Sequence, residues 1–430
     1  MTSGSRGRHG GGRGRRPRIG LFGDLGMGNI GNDASMEAVL GYLRANHPEA
    51  DVDAMCVGPE VLLARYGLPG TPMSWSRGRA SGPAAIGVKL LGKVLDPFRI
   101  VAWTRRHDAV IIPGMGIFEA ALPLRAWGLP YALLTLGVSG RLTRTSVAYI
   151  SVGAQTVNQP LTRMVLGWAA RLAAFRSYRD ADSKEAMRRW GLNVEADPVY
   201  PDLAFALPVP AAGPADPRVV CVGVMDYHGS NDDRVRADDI RRSYATEMKS
   251  FIRWLLGEGR AVRLIIGDTN GSDDEVVQEI VADVRRAMPG LDPAALTAQS
   301  VSSFSDIMQA MESASSVVAI RFHNVVAGIM LGKPTLAISY GRKHDSIMAD
   351  SGIGELCHPV QSLDHERLAR QFTEMESRER EIRQILADRR ALNEKLLAEQ
   401  FESLWKGLIE GRSNPTEMRW RRGHPRDLAR

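Results

Sequence analysis

The chain has 430 residues, of which 44% are hydrophobic and 24% charged, so it is long enough for two globular domains with separate cores. Its net charge of +6 is concentrated at the ends: residues 1–17 and 412–430 are rich in arginine, whereas the body is mildly acidic. We therefore expect two flexible basic tails and no nucleic-acid partner. Three cysteines without a CxxC spacing exclude a disulfide framework or a zinc-finger site and favour a cytoplasmic protein. The N-terminus lacks the apolar region of a secretory signal, and no apolar stretch is long enough to span a membrane.

The first half of the chain alternates short apolar runs with helical patterns, which predicts a doubly wound α/β sheet. A segment rich in proline and alanine, residues 207–218, predicts a linker after a first domain of residues 18–206. In chain order, the predicted strands cover 18–22, 52–57, 108–112 and 146–152, and the predicted helices cover about 34–45 and 182–190.

The second half repeats the same alternation, so we predict a second Rossmann-like domain over residues 219–375, followed by C-terminal helices over 376–411. The charged pattern of residues 363–409 is typical of long exposed helices. The predicted strands of this half cover 219–224, 263–267, 316–320 and 335–339, and its shorter helices cover about 304–313 and 324–331.

A glycine-rich segment, residues 26–31 (GMGNIG), follows the first strand and fits the G-x-G-x-x-G fingerprint of dinucleotide-binding proteins. Two details argue against NAD. Residues 23–25 separate the first glycine from its strand, and the second strand ends in Val57-Gly58 instead of an acidic residue. The N-terminus of the following helix still offers unpaired N–H groups to an anion or to sugar hydroxyls, with a tight turn that binds nothing as the alternative.

Basic side chains follow several predicted strands at their carboxyl ends, where ligands bind in open α/β sheets. Arg321 and His323 follow one strand, Lys343 follows the next, and Arg179 ends a strand of the first half. Three cations and a histidine predict a pocket for a small substrate with two anionic groups, such as phosphoenolpyruvate. Histidine is the natural acid to protonate the methylene carbon of that donor. Taken singly, an arginine at a strand end is more often a surface ion-pair partner, and a lone histidine is more often structural.

These residues resemble the polysaccharide pyruvyl transferase family, and the resemblance covers about residues 18–354. Residues 28–33 are similar to the family's glycine-rich start, and residues 113–116 and 151–155 to its second and third glycine turns. The remaining matches are Arg179-Asp180 with Ser183, Asp202–Phe205, Arg321-Phe322-His323, Pro334, Ser339-Tyr340 and Lys343.

The resemblance implies a GT-B-like fold in which two Rossmann-like domains face each other across a cleft. It implies a pyruvyl transferase that moves pyruvate from phosphoenolpyruvate onto a sugar of a polysaccharide or glycolipid as a cyclic ketal, without a metal or other cofactor. His323 is the implied acid, the donor lies on the second domain, and the acceptor lies nearer the first. The implied donor-binding residues are Arg179, Arg321, Phe322 and Lys343, and the acceptor-side loops contribute Gly28, Asn29, Asp33, Gly114, Gly116 and Gln155.

Some assignments stay open. Residues 116–119 and 153–155 depart from the family's pattern and belong to loops on the acceptor side, so the acceptor sugar is not identified. Asp226, which ends the first strand of the second half, is our candidate for the base, with a surface or capping role as the alternative. A nucleotide-sugar-dependent glycosyltransferase or epimerase and a non-catalytic carbohydrate-binding protein are the alternative functions. The oligomeric state is not indicated.

Residues 88–106 mix large apolar side chains with five lysines and arginines. A basic amphipathic segment can lie on an anionic bilayer. Such peripheral contact would suit a lipid-linked acceptor and a location at the inner face of the membrane. Core packing with solvated cations is the alternative.

Overall fold

Two parallel six-stranded sheets, each flanked by helices, form the protein, which confirms the predicted two-domain α/β fold. The computed structural model describes residues 16–77, 85–119, 126–211, 213, 215–229, 231–266 and 273–409. The predicted basic tails lie outside the described residues, except for residues 16 and 17.

The first sheet has the strand order β3-β2-β1-β4-β5-β6, and the strands pair in parallel. Its strands are β1 (Arg18–Gly23), β2 (Asp51–Cys56), β3 (Gly70–Pro72), β4 (Ala109–Pro113), β5 (Ser146–Val152) and β6 (Phe175–Tyr178). Its helices are α1 (Ile30–Asn46), α2 (Pro59–Tyr66), α3 (Ala85–Thr104), α4 (Leu129–Thr143), α5 (Pro160–Leu172) and α6 (Ala181–Arg189).

The second sheet repeats this topology in the order β12-β11-β10-β7-β8-β9. Its strands are β7 (Asp216–Val224), β8 (Ala261–Ile266), β9 (Leu296–Gln299), β10 (Ala314–Ala319), β11 (Thr335–Ser339) and β12 (Cys357–Pro359). Its helices are α7 (Ala237–Gly257), α8 (Asp273–Ala287), α9 (Phe304–Glu312), α10 (Phe322–Met330), α11 (Arg342–Asp350) and α12 (His365–Ser377), and α13 (Glu379–Leu408) follows.

The strand order changes direction beside β1 in the first sheet and beside β10 in the second. In open α/β sheets the crevice for ligands lies at such a point, outside the carboxyl ends of the strands. The glycine-rich loop follows β1, and residues 321–323 follow β10. The two motifs that the sequence singled out therefore each lie at the point where the strand order of their sheet changes direction.

The long helix α13 connects the two domains. Near its start, Arg383 donates hydrogen bonds to the carbonyl groups of Gly332 (3.2 Å) and Ser315 (3.0 Å) in the second domain. Near its end, Gln400 accepts a hydrogen bond from Ser151 and donates one to Ser177, both at 2.9 Å, in the first domain. The predicted C-terminal helices thus hold the two sheets on either side of the site.

The observed boundaries differ from the predicted ones in a few places. Strands β3, β9 and β12 were missed because each has three or four residues without a clear apolar run. Strand β7 begins at Asp216, inside the predicted linker 207–218, of which residues 212 and 214 lie outside the described residues. Helix α1 begins at Ile30 instead of about residue 34 because Asn29 caps it.

The cap of α1 predicts a loss of stability when it is removed. The Asn29 side chain accepts hydrogen bonds from the backbone N–H groups of Gly31 (3.1 Å) and Asn32 (3.3 Å). We expect Asn29→Ala to lower the free energy of unfolding by about 1 kcal/mol, as measured by urea denaturation. Asn29→Asp retains a capping oxygen and is the control. Equal stability of the two variants would contradict this account of the cap.

Candidate functional site

The glycine-rich loop is held in place by its own helix. The Asp33 carboxylate accepts a hydrogen bond from the Gly26 N–H at 2.8 Å. Burial raises the pKa of Asp33, and this hydrogen bond opposes the rise. Gly26 has a φ of +71°, and a Cβ there would lie 2.3 Å from the carbonyl oxygen of Gly58. The tight approach of these two loops therefore requires glycine, and Asp33 positions the loop.

His323 of the second domain lies directly against the first turn of α1. A Cβ added to Gly31 would lie 1.8 Å from Cε1 and 2.3 Å from Nε2 of His323. A residue with a side chain at position 31 would therefore displace the imidazole ring. The structure thus brings together two predicted site elements that are nearly 300 residues apart in sequence.

Arg179 and Lys343 share the Phe322 ring beside this contact. The Arg179 guanidinium carbon lies 5.0 Å from the ring centroid, and Lys343 Nζ lies 5.5 Å from it. Lys343 Nζ is also 5.0 Å from the ring centroid of Tyr340. Arg179 belongs to the first domain and the other three residues to the second, so this cation cluster spans the cleft. Cations this close to an aromatic face are held by the ring quadrupole.

Two buried carboxylates that the sequence analysis did not assign to the site lie next to Arg179. Glu119 forms an ion pair with Arg179, and an Asp202 oxygen lies 3.9 Å from its Nη1. Burial by itself raises the pKa of Glu119, but the charges of Arg179 and Lys343 outweigh it and hold that pKa below its usual value. For Asp202, burial prevails and raises the pKa. In the sequence, Glu119 is marked only as an atypical residue after the second glycine turn, and Asp202 only as the first residue of the D-x-A-F segment.

The glycine turns surround Glu119. A Cβ at Gly116 would lie 2.6 Å from its carboxyl carbon, and one at Gly153 would lie 2.3 Å from its Oε1. Gly114, with a φ of +37°, packs instead against Ser35. The backbone N–H of Gln155 donates to the Phe118 carbonyl at 3.0 Å, which joins the second and third turns. Acceptor contacts of these loops remain predictions.

Arg321 has a different environment from the other predicted cations. Its guanidinium forms a two-pronged ion pair with the fully buried Asp273, with Nε–Oδ2 and Nη2–Oδ1 distances of 2.9 and 2.8 Å. Asp273 also accepts a hydrogen bond from the Asp226 N–H at 2.8 Å. The Asp226 carboxylate contacts Arg241 at 2.7 Å and His228 at 2.9 Å. The donor role of Arg321 and the base role of Asp226 remain predictions.

Buried polar atoms around the cation cluster have unused hydrogen-bonding capacity. His323 Nε2, Arg179 Nε and Asp202 Oδ2 are buried and have no hydrogen-bond partner among the described residues. Arg179 Nε and Asp202 Oδ2 make long ion-pair contacts, to Asp180 Oδ2 at 3.5 Å and to Arg179 Nη1 at 3.9 Å respectively. Lys343 likewise has no ion-pair partner within the described ranges. Buried polar groups are nearly always paired in folded proteins, so such a concentration points to a polar ligand at this position.

Two histidines of the site are neutral at physiological pH. Burial and the positive charge of Lys343 lower the pKa of His323 to about 3, and the same two causes lower the pKa of His344 to about 3. The His344 Nε2 lies 2.8 Å from the carbonyl oxygen of Ile320, so a neutral ring donates this hydrogen bond. Both side chains therefore disfavour protonation in the folded chain.

The low pKa of these histidines in the folded chain predicts that the fold loses stability in mild acid. Unfolding restores the ordinary histidine pKa of 6.5, so the unfolded chain takes up protons below that pH while the folded one does not. When the pH falls from 7 to 5, the contribution of His344 should lower the free energy of unfolding by about 2 kcal/mol. We expect His344→Gln, which keeps a donor for Ile320, to reduce the acid-induced loss by that amount in urea denaturation. An equal loss in both proteins would contradict the prediction.

No group of three or more His, Cys, Asp and Glu side chains is arranged to hold a metal ion in the parts of the chain that the structure describes. Within the same ranges, no helix is both long and apolar enough to cross a bilayer.

The comparison with protein families decides the affiliation. The family model of polysaccharide pyruvyl transferases matches residues 29–342, which is most of the chain. The chain belongs to the polysaccharide pyruvyl transferase family. The matched region of this family member includes the Asn29 cap, Glu119, Arg179 and the His323 motif, and it ends one residue before Lys343. No curated protein sequence matches significantly.

Solved structures similar to this pyruvyl transferase family member share its fold at low sequence identity. The UDP-GlcNAc 2-epimerase of Methanocaldococcus jannaschii is 9% identical, with a TM-score of 0.52 over 84% of this chain and 92% of its own. The Neisseria meningitidis UDP-GlcNAc 2-epimerase, bound to UDP-GlcNAc, is 10% identical with a TM-score of 0.54, covering 91% and 100%. Anabaena HepE, in complex with UDP and glucose, is 14% identical with a TM-score of 0.53, covering 90% and 99%. These similarities show the GT-B-like fold.

Proposed function

We propose that this protein transfers pyruvate from phosphoenolpyruvate to two hydroxyl groups of a sugar in a polysaccharide or glycolipid, forming a cyclic ketal. The observation that carries the proposal is the convergence of Lys343, Arg179 and His323 at one place, where buried polar atoms have no hydrogen-bond partner among the described residues. A donor with a carboxylate and a phosphate matches this set, because both groups are anions that accept hydrogen bonds.

His323 is the proton donor in this proposal. In the free protein its pKa is held at about 3 by burial and by the charges of Lys343 and Arg179. A bound carboxylate and phosphate offset those charges and favour the imidazolium form. The proton then passes from His323 to the methylene carbon of the donor, and positive charge develops at the central carbon, stabilised by the two anionic groups next to it.

The sugar completes the reaction in two additions. One hydroxyl oxygen bonds to the central carbon and loses its proton to a base, for which Asp226 is our candidate. The bond from that carbon to the phosphate oxygen then breaks, and phosphate leaves with the bonding electron pair. The second hydroxyl bonds to the same carbon, and its proton passes to the departing phosphate. One donor and two hydroxyls thus give one ketal and one phosphate, with no oxidant or reductant.

Electrostatic stabilisation by Arg179, Lys343 and Arg321 replaces a metal ion in this scheme. We accordingly propose that the reaction needs no cofactor and is insensitive to EDTA. We place it in the cytoplasm, in keeping with three cysteines that are all free.

A mass-spectrometric screen of candidate sugars tests the proposal. The purified protein is incubated with phosphoenolpyruvate and each sugar, and phosphate release is measured in parallel. We expect phosphate release that depends on one class of sugar, together with the mass gain of a pyruvate ketal on that sugar. Turnover of a nucleotide sugar without phosphoenolpyruvate would instead establish the epimerase or glycosyltransferase alternative.

A further inference from the structure

Three neighbouring helices of the first domain, α3, α4 and α5, form a layer that is unusually apolar on its outer side. Helix α3 packs on α4, and α4 packs on α5. Seventeen large hydrophobic residues are exposed in the described part of the chain, and ten of them lie on these three helices. We call the exposed side chains of these three helices the α3–α5 face.

Helix α3 carries the most regular part of this face. Ile86, Leu90, Val94 and Phe98 recur at every fourth position and are 70%, 65%, 61% and 70% exposed. Residues four apart lie on one side of a helix, so these side chains form a continuous stripe. The core of the domain is contacted by other positions of α3, such as the buried Trp103. The exposed stripe is therefore not needed for packing the sheet.

The charge on the same face has a single sign. The three helices contain one acidic residue, Asp96, which is buried and pairs with Arg99 at 3.0 Å. The face thus combines exposed apolar groups with uncompensated positive charge. Its exposed cations, which have no ion-pair partner within the described ranges, are Lys89, Lys93, Arg141, Arg163 and Arg171.

The combination of exposed apolar side chains with positive charge favours an anionic bilayer over a second copy of the chain as the partner of this face. A second copy of the chain docked about a two-fold axis would bring the same cations face to face, which is unfavourable. An anionic bilayer supplies both hydrocarbon for the apolar stripe and negative charge for the lysines and arginines. We propose that the α3–α5 face docks this protein on an anionic membrane surface.

The position of the face relates the membrane to the cleft. Helices α4 and α5 follow β4 and β5, so they begin at the carboxyl edge of the first sheet, where the site lies. Docking through these helices leaves the cleft beside the bilayer, within reach of a sugar carried by a lipid. The docking inference goes beyond the transfer reaction proposed above and does not depend on it.

Vesicle flotation tests this inference with the full-length protein. We expect binding to vesicles of phosphatidylcholine mixed with phosphatidylglycerol, and binding at least roughly tenfold weaker to phosphatidylcholine alone. Added salt should weaken the interaction. Lys89→Glu with Lys93→Glu, and separately Leu90→Ser with Phe98→Ser, should each reduce binding to the anionic vesicles roughly tenfold or more.

A matched control changes the same kinds of residue on another surface. Leu392 is 37% exposed on α13 and Lys395 is exposed beside it, so Leu392→Ser with Lys395→Glu should leave vesicle binding unchanged. Phosphate release with a soluble acceptor should be unchanged in all these variants, which separates a failure of docking from a failure of the proposed reaction.

Three outcomes would overturn the inference. The first is no binding of the wild-type protein to the anionic vesicles. The second is binding that survives the α3 substitutions but is lost when the tail arginines, such as Arg6, Arg8, Arg421 and Arg422, are replaced by glutamine. The third is a dimer in sedimentation velocity that Leu90→Ser with Phe98→Ser dissociates, since this would assign the face to a second copy.

Discussion

Replacing His323 by alanine should lower kcat for acceptor-dependent phosphate release by roughly 10²-fold or more, the usual effect of losing a general acid. The ring lies against Gly31 at the helix terminus of the opposite domain, and its Nε2 has no hydrogen-bond partner among the described residues. The substitution removes the proposed proton source and leaves the cation cluster in place. We therefore expect KM for phosphoenolpyruvate to change much less than kcat.

Two further variants make this result specific. His323→Gln fills much of the same space and has no titratable proton, so it should be as slow as His323→Ala. His365→Ala removes a half-exposed histidine that pairs with Glu247 at 2.8 Å, and it should retain full activity. Activity of His323→Ala within a few-fold of the wild type would refute the acid role of His323.

Replacing Arg179 by methionine should affect stability as well as activity. Arg179 is 7% exposed and lies between Glu119 and Asp202, which are 7% and 1% exposed. Removing the cation leaves buried carboxylates without their partner, which typically costs about 3–5 kcal/mol of unfolding free energy. Donor binding should be lost with it, because Arg179 and Lys343 lie near the same Phe322 ring and together form the proposed donor-binding cluster.

A double variant separates the two effects of Arg179. Glu119→Gln neutralises the carboxylate that pairs with Arg179, so Arg179→Met with Glu119→Gln should be more stable than Arg179→Met alone. Phosphate release should not recover, because the donor still lacks its cation. Urea denaturation and the phosphate assay measure the two quantities independently. Recovery of activity in the double variant would show that Arg179 serves only to neutralise Glu119.

Much of this fold is predictable because its determinants are local. Short apolar runs define the central strands, and the runs 219–224 and 335–339 end at the same residues as β7 and β11. The edge strands β3, β9 and β12 were missed since they are short and only partly buried. The start of α1 was misplaced by four residues because the capping geometry of Asn29 depends on side-chain direction, which periodicity does not report.

The sequence by itself identified the family, the two-domain α/β fold and the motifs at the strand ends, because these depend on local patterns and on the rule that parallel strands end at one edge. Only the tertiary structure decided which charges meet. It paired Arg179 with Glu119 and Arg321 with Asp273, and it placed His323 against Gly31 of the other domain. Ion pairs and pKa values depend on burial and on distances between segments remote in the chain. For the same reason, only the packed helices show that the apolar stripe of α3 belongs to one continuous basic face.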